Sequence, residues 1–298
     1  MKSFSALFIL MVCLLAGCRQ ANQVSMDEFS ALLSKNDIAL GKPEPGDWLY
    51  VHKEKGQSFK QYMACNPVSP NETRNVIYLQ PIGEFDTISD ELIRRTASYL
   101  QIFFGLKTVV LKTLGNGIIP DSATRSGDYG HVQVYAPFVL HEVLKKRMPQ
   151  DAIVLMALTE RDLYPKPDWN YVFGLASLRE RVAVSSLFRL LYRSDFGVDQ
   201  VKSLERLIKV TSHEISHMFT MHHCTHAVCT MNGSNSMPET DSKPNRLCAE
   251  CTAKLVWNLK TDPLSRMEKL RSYFTEYGLA EDLRLIEADI SATRTLFH

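Results

Sequence analysis

Three histidines and one glutamate lie close together in the chain at the spacing of a metal-binding helix. The residues HEISH place His213, Glu214 and His217 within five positions, and His223 follows six residues after His217. Residues four apart share one face of a helix, so the imidazoles of His213 and His217 can hold one zinc ion. Glu214 lies about 100° around the helix axis, which keeps its carboxylate off the metal but within reach of a metal-bound water.

This arrangement predicts a hydrolytic reaction. Catalytic zinc keeps three protein ligands and leaves its fourth position to water, and we expect His223 to be the third ligand. The chain must then turn after about residue 219, because His223 is too far along to share the helix face of the first two ligands. Zinc lowers the pKa of its water to about 7, and Glu214 can take the proton as general base and deliver it to a leaving amine as general acid. The pattern therefore predicts peptide-bond hydrolysis by a zinc-activated water.

Four cysteines follow the histidines and suggest a second site. They are Cys224, Cys229, Cys248 and Cys251, the last two in a C-x-x-C pair. Four thiolates can close a tetrahedron around a structural zinc that has no position left for water. In an oxidising compartment the same cysteines could form two disulfides instead.

The whole segment resembles the signature of the archaemetzincins, a family of metzincin-clan zinc metalloproteases. That signature is H-E-x-x-H-x-x-x-x-x-H-C-x-x-x-x-C-x-M with a later C-x-x-C, and the residues from His213 to Met231 match it, as do Cys248 and Cys251. The spacer between Met231 and Cys248 is 16 residues, one shorter than usual in the family. YLQPIGEF at 78–85 and DLYPKPDWNYVFGLASL at 162–178 also look like family segments, so the resemblance covers about residues 45 to 260.

The resemblance implies roles for the matched residues. His213, His217 and His223 would hold a catalytic zinc, Glu214 would be the general base and acid, and Met231 would be the Met-turn methionine beneath the ligands. The cofactors would be two Zn²⁺ ions, since the resemblance favours a structural zinc over disulfides at Cys224, Cys229, Cys248 and Cys251. The strand with Phe173, Gly174, Leu175 and Ala176 would be the edge strand above the cleft, whose free N–H and C=O groups can pair with an extended peptide.

One residue departs from the family pattern. Metzincins often have glycine seven residues after the first histidine, where the helix ends, but this chain has Thr220. Glycine adopts a positive φ without steric cost, whereas a β-branched threonine resists it. We therefore expect either a different turn or a strained one at this point.

The N-terminus predicts export and lipid attachment. MKSFSALFILMVCLLAGC has one early lysine and an apolar stretch too short to span a membrane, and it ends in a sequence that resembles the lipobox of bacterial lipoproteins. Cys18 would carry the lipid anchor, so the protein would lie on a membrane of the bacterial cell envelope, facing the periplasm or exterior. We expect a signal peptide at 1–17, a tether at 18–46, the zinc protease domain with the four-cysteine site at 47–262, and a C-terminal helical extension at 263–298.

Between these segments, strand and helix patterns alternate. Strands are predicted at 76–80, 108–111, 152–158, 171–177 and 181–187, and helices at 26–34, 89–104 and 137–148. The residues before His213 follow a helical period, and amphipathic helices follow Cys251. The fold class is therefore α+β, with helices on a mixed sheet. The resemblance makes this a metzincin-like catalytic domain with a twisted mixed sheet, a long active-site helix, a Met-turn and a C-terminal helical part.

Composition narrows the partners. A net charge of +1 gives no reason to expect nucleic acid. We expect a monomer that binds a peptide or protein substrate and reaches the membrane only through its lipid anchor. Some metzincins supply an oxyanion-stabilising tyrosine shortly after the Met-turn, whereas no tyrosine follows Met231 here until Tyr273. This difference and Thr220 motivate an alternative, a catalytically inactive, zinc-containing, peptide-binding lipoprotein.

Overall fold

The computed structural model describes residues 25–295, so Cys18 and the predicted signal peptide lie outside the described range. The helices are α1 (Met26–Leu33), α2 (Trp48–Val51), α3 (Phe59–Ala64), α4 (Thr87–Phe104), α5 (Ala136–Phe138), α6 (Gln200–Met218), α7 (Met237–Asp241), α8 (Ala249–Leu259), α9 (Pro263–Glu276) and α10 (Ala280–Arg294). The strands are β1 (Val76–Ile82), β2 (Thr108–Val110), β3 (Thr124–Ser126), β4 (Val132–Tyr135), β5 (Ala152–Thr159), β6 (Asp162–Tyr164), β7 (Gly174–Ser177), β8 (Val182–Ser186), β9 (Tyr192–Ser194) and β10 (Gly197–Asp199).

A five-stranded mixed sheet forms the centre of the fold, in the order β2-β1-β5-β8-β7. The first four strands are parallel to their neighbours, and β7 runs antiparallel to β8 at the edge. All eight residues of β5 are buried, as a continuous apolar run predicts for a central parallel strand. The α+β class with a mixed sheet is thereby confirmed.

The core has two parts because alternate residues of a strand point to opposite faces. On one face, Val154 and Met156 of β5 pack with α4, α6 and the C-terminal helices. On the other face, Leu155 and Ala157 pack with the segment after β4. The larger cluster contains the apolar side of α6, so the helix that bears the histidines is anchored along most of its length. Val201 has a spacing in the sequence that fits the same apolar side of the helix, but it is exposed.

The helix predicted at 137–148 is irregular. One α-helical turn, α5, continues as a π-helical turn over Val139–Leu144 and a 3₁₀ turn over Lys145–Arg147. The apolar pattern that predicts a helix does not distinguish these hydrogen-bond patterns, because the residues that must be buried are nearly the same.

Other elements were not predicted from the sequence. A small sheet, β3-β4-β6, and the hairpin β9–β10 consist of strands of three or four residues. Such strands are too short to show an alternating pattern, so pairing across the fold decides them. The strand predicted at 171–177 begins at Gly174, and Val172 makes only an isolated bridge to Leu163.

Part of the segment predicted to be a tether packs on the domain. Within it, helix α1 forms as predicted, but its Phe29 and Leu33 are buried in the main core. Asp37 then accepts hydrogen bonds from Arg246 Nη1 at 2.8 Å and from the Ala249 backbone N–H at 3.1 Å. Residues 26–37 are therefore part of the folded domain, because apolar side chains at the α1 spacing find partners on α8 and α10.

The C-terminal part is helical, as predicted, and packs on the domain. Leu270 and Phe274 of α9 and Ile290 of α10 belong to the main core cluster. Within the range 25–295, no helix is both long and apolar enough to cross a membrane.

Candidate active site and metal centres

Helix α6 positions the first two histidines. Its N-terminus is capped by Asp199, whose side chain accepts a hydrogen bond from the Lys202 N–H at 2.9 Å. One turn apart near its C-terminal end, His213 and His217 point the same way, with their Nε2 atoms 3.0 Å apart. The sequence prediction that these imidazoles converge is therefore met in the structure.

His223 completes the group. One ring nitrogen from each of the three histidines lies within 4.8 Å of the others. Each ring uses Nδ1 for a hydrogen bond, His213 to the Thr230 carbonyl at 2.8 Å, His217 to the Met221 carbonyl at 2.7 Å and His223 to the Glu54 carboxylate at 2.9 Å. An Nδ1–H donor leaves Nε2 as the free lone pair, so all three rings offer the same atom to one ion.

The electrostatics suit a neutral ligand set. Burial lowers the pKa of His217 to about 3, with the His223 imidazole adding to the effect. Burial also places the pKa of His213 well below its usual value, again reinforced by the neighbouring imidazoles. The His213 and His217 imidazoles are thus held neutral, and together with the His223 ring they face a cleft. Three imidazoles are a donor set that a catalytic zinc site uses, with room left for a further ligand.

Glu214 lies at the same cleft and is buried. Burial raises the pKa of its carboxyl group to about 8, and a cation held by the histidines would lower that pKa again. Its position, one residue from a ligand and on the adjoining face of the helix, is the one expected of a proton acceptor beside the metal.

Thr220 adopts the left-handed conformation, with a φ of 69°. The Thr220 N–H donates to the His217 carbonyl at 2.8 Å and the Met221 N–H donates to the Ser216 carbonyl at 3.1 Å. These two bonds define a Schellman C-cap, the motif that usually has glycine at this position. Of the two expectations for this turn, the strained one is therefore found, and the turn brings His223 to the other two histidines.

The four cysteines form a second cluster. The Sγ atoms of Cys224, Cys229, Cys248 and Cys251 all lie within 4.8 Å of one another, and all four side chains are buried. None is in a disulfide, and Cys224 Sγ lies 3.6 Å from Cys248 Sγ. That separation is close to the edge of a tetrahedron with zinc–sulfur bonds of about 2.3 Å and far longer than a disulfide bond of about 2.05 Å.

The backbone around the cysteines supports metal-bound thiolates. Cys229 Sγ accepts N–H groups from Cys248 at 3.2 Å and Met231 at 3.4 Å. The C-x-x-C pair begins α8, with Cys248 as N-cap, so the positive end of the helix dipole faces the sulfur atoms. The donor set fits a closed structural zinc.

Met231 belongs to a tight turn that joins the two clusters. The Asn232 N–H donates to the Cys229 carbonyl at 3.0 Å, and Met231 is fully buried. The preceding carbonyl, that of Thr230, orients His213, while the Met231 carbonyl accepts the Cys224 N–H at 2.8 Å. The turn thus holds a ligand of each cluster.

The histidines open onto a cleft of about 610 Å³. Edge strand β7 forms its upper wall, and Phe173, Gly174, Leu175 and Ala176 all line it. The Phe173 carbonyl accepts the Ser186 N–H at 3.0 Å, so this residue bonds towards β8. Because bonding alternates along an antiparallel pair, Gly174 and Ala176 direct their N–H and C=O groups into the cleft.

The sequence patterns did not identify four cleft or ligand-contacting residues. Trp48 lines the cleft with its ring 5.0 Å from that of His223, and its indole nitrogen is buried without a hydrogen-bond partner. Glu54 contacts His223, and Lys209 and Lys243 also line the cleft. Trp48 and Glu54 lie more than 150 residues from the motif, and no spacing rule connects them to it.

Three comparisons agree on the family. The model of peptidase family M54 matches residues 130–256. Archaemetzincin-2 of Pongo abelii is 33% identical over 265 residues, which cover 76% of this chain and 71% of that protein. The archaemetzincin of Pyrococcus furiosus is 31% identical over 185 residues, which cover 61% of this chain and 93% of that protein.

The fold agrees as well. The crystal structure of the archaemetzincin from Methanopyrus kandleri superimposes with a TM-score of 0.52 and 28% identity, over 64% of this chain and 99% of that chain. The resemblance seen in the zinc-site signature is thus confirmed over both sequence and fold. The chain therefore belongs to the archaemetzincins, peptidase family M54, and is a zinc metallopeptidase.

Proposed function

We propose that His213, His217 and His223 hold the catalytic zinc of this peptidase and that Glu214 is its general base and acid. The observation that carries the proposal is the common orientation of the three rings. Each Nδ1 is occupied by an oxygen acceptor, one ring nitrogen of each histidine lies within 4.8 Å of the others, and Glu214 lines the same cleft.

Zinc and Glu214 would have different roles in the reaction. When bound, zinc supplies Lewis-acid polarisation of the scissile carbonyl and acidification of water. Glu214 takes a proton from the attacking water as the carbon–oxygen bond forms. It then gives that proton to the amine nitrogen as the carbon–nitrogen bond breaks. Burial of Glu214 keeps bulk water from competing for the proton.

We infer that the substrate lies extended along β7. The backbone groups of Gly174 and Ala176 face the cleft, where they can pair with a peptide as an added strand. Main-chain pairing of this kind binds peptides with little regard to side chains, and the cleft walls would then select among them. The natural substrate is accordingly a peptide or an extended protein segment.

We also propose two zinc ions per chain, the second on Cys224, Cys229, Cys248 and Cys251. The buried, disulfide-free cluster and its N–H···S contacts support this count. The second zinc would stabilise the turn that bears Thr230 and Met231, and so would hold His213 in place through the Thr230 carbonyl.

The cellular location rests on the N-terminal sequence. We propose that Cys18 is lipidated and attaches the protein, as a monomer, to a membrane of a bacterial cell envelope. Full-length protein and Cys18→Ala should then partition differently between detergent and aqueous phases. Equal partitioning would contradict the anchor.

The replacement Glu214→Gln tests the mechanism. Glutamine keeps the size of the side chain but cannot accept a proton from water, so hydrolysis of a peptide library should fall by at least about 100-fold. Zinc content should remain at two per chain, as measured by atomic spectroscopy. Hydrolysis at an unchanged rate would exclude Glu214 as the base. Two zinc ions without cleavage in the unmodified protein would favour the peptide-binding alternative.

A further inference from the structure

Residues 54–68 surround the turn that carries the third histidine. The Glu54 carboxylate accepts from His223 Nδ1, with its two oxygens at 2.9 and 3.0 Å. Gln57 Nε2 donates to the Thr220 carbonyl at 3.2 Å, and Gln57 Oε1 accepts the His222 N–H at 3.3 Å. This one segment therefore contacts the turn at Thr220, at His222 and at His223.

Two more contacts extend the set. The Val68 N–H donates to Thr220 Oγ1 at 3.1 Å, and the Tyr62 hydroxyl donates to the Phe219 carbonyl at 2.8 Å. Tyr62 is fully buried and its oxygen accepts Asn258 Nδ2 of α8 at 2.7 Å. The segment is thus fixed to the body of the domain and does not merely lie over the turn.

The turn needs such support. A left-handed conformation is strained for a non-glycine residue, and Thr220 is β-branched as well. Left to itself, the backbone at residue 220 would relax and move His223, three residues later. The contacts of Gln57 and Val68 use both the carbonyl and the hydroxyl of Thr220, so they favour the strained conformation over its alternatives.

Glu54 acts on the ligand itself. A carboxylate that accepts Nδ1–H fixes the tautomer and the orientation of the imidazole. The other two histidines use backbone carbonyls for this purpose, so His223 alone has a charged partner. His223 is also the only ligand outside helix α6, and its ring has no helical neighbour to orient it.

We propose that residues 54–68 are a positioning element for the third zinc ligand, in which Glu54 orients His223 while Gln57 and Val68 hold Thr220 in its left-handed conformation. The proposal rests on the assignment of His223 as a zinc ligand. None of these residues falls within the stretch matched by the family model, which begins at residue 130. A segment distant in sequence thereby sets the affinity of the catalytic metal site.

Zinc affinity in full-length protein tests the role of Glu54. Chelator competition should show that Glu54→Ala weakens zinc binding at the histidine site by about 10- to 100-fold. Glu54→Gln should fall between Glu54→Ala and the unmodified protein, because its amide oxygen still accepts Nδ1–H. Glu44→Gln, which changes an exposed glutamate of the same region, is the matched control and should leave zinc affinity unchanged.

Two further readouts separate positioning from folding. The cobalt-substituted proteins should differ in visible absorption in the same order, since the ligand field changes with the His223 ring. Zinc at the four cysteines and the thermal midpoint of protein with an empty histidine site should stay the same. Equal zinc affinity in Glu54→Ala and the unmodified protein would overturn the proposal. If His223→Ala also leaves zinc affinity unchanged, then the ligand assignment itself has failed.

A double-mutant cycle tests the part played by Gln57. Gln57→Ala should weaken zinc binding several-fold in the presence of Thr220, because the strained turn loses a support. In a Thr220→Gly background the same change should cost less than about twofold, since glycine adopts a positive φ without strain. An equal loss in both backgrounds would show that Gln57 does not act through Thr220.

Discussion

The Cα atom of Gly174 packs directly against the Glu214 side chain. A Cβ atom added at position 174 would lie 2.7 Å from Glu214 Oε1 and 2.8 Å from its Cγ. Gly174 has no positive φ, so the missing side chain serves close approach and not backbone conformation. The edge strand of the cleft and the proposed catalytic base are therefore in contact, and glycine makes that contact possible.

Gly174→Ala should accordingly lower activity without removing zinc. The added methyl group would displace the Glu214 carboxyl group, and misplacement by about 1 Å can cost on the order of 100-fold in rate. We expect kcat to fall by at least about tenfold while two zinc ions remain bound. Gly115→Ala is the control, since a Cβ at that position meets no atom within 4 Å. Full activity in Gly174→Ala would show that the base tolerates a shift.

Cys251→Ser should remove one zinc and destabilise the domain. A structural zinc contributes its binding free energy to folding, and Cys251 is fully buried among the other three cysteines. We expect the zinc content to fall from two to one and the thermal midpoint to fall by more than about 10 °C. Cys65→Ser, which changes an exposed cysteine outside the cluster, should alter neither quantity. An unchanged zinc content in Cys251→Ser would refute the second site.

Asp162 should make stability depend on pH in the acid range. Burial by itself would raise the pKa of this carboxyl group, but hydrogen bonds from Arg189, Gln133 and His131 outweigh burial and lower it. A carboxyl group whose pKa is lower in the folded protein stabilises it above the unfolded value of about 3.9, and this contribution disappears as pH falls through the folded value. The contribution should therefore be complete near neutral pH and shrink below about pH 4.

Asp162→Asn measures that contribution. At pH 6 the variant should lose about 2–4 kcal/mol of unfolding free energy in urea titrations, because Arg189 is left without its charged partner. The difference in unfolding free energy between the variant and the unmodified protein should narrow as pH falls below about 4. Loss of zinc in acid should affect both proteins equally and should therefore not change this difference. A difference that does not vary with pH would show that charge at Asp162 is not its cause.

Trp48 should contribute to substrate binding. Its ring lines the cleft beside His223 and packs on Gly233, where an added Cβ would lie 2.4 Å from the indole. We expect Trp48→Ala to raise KM for peptides by about tenfold with a smaller change in kcat. The reason is that the lost contact stabilises the bound substrate and the transition state equally. Trp48→Phe keeps an aromatic surface and should recover most of the affinity. A fall in kcat at constant KM would place Trp48 with the reacting groups instead.

Local sequence was sufficient to place the first two histidines of the proposed zinc site. His213 and His217 are held on one helix, and the helical period of the apolar residues before them predicts both the helix and the shared face. The buried strand at 152–159 was equally readable, because a short continuous apolar run between polar residues is typical of a strand that is buried on both faces. The helical period and the continuous apolar run can both be recognised in the sequence because each involves only residues that are near one another in the chain.

The conformation of the turn at Thr220 could be only partly predicted from the sequence. The sequence showed that a residue which resists a positive φ occupies a position where glycine is usual, and it could not decide between strain and another turn. The structure shows strain, because contacts from residues 57 and 68 stabilise the left-handed conformation. Compensation by distant segments leaves no local trace in a sequence.

By itself, then, the sequence determined the ligand types, their order and the chemistry that such ligands support. Only the tertiary structure decided which oxygen atoms orient the imidazoles, that Glu54 and Trp48 join the site, and that residues 26–37 belong to the folded domain. The physical reason is the sequence separation of the residues in contact. Helical periodicity acts over a few residues, whereas the contacts of Glu54, Trp48 and residues 26–37 join residues 150 or more positions apart, whose approach depends on how the whole core packs.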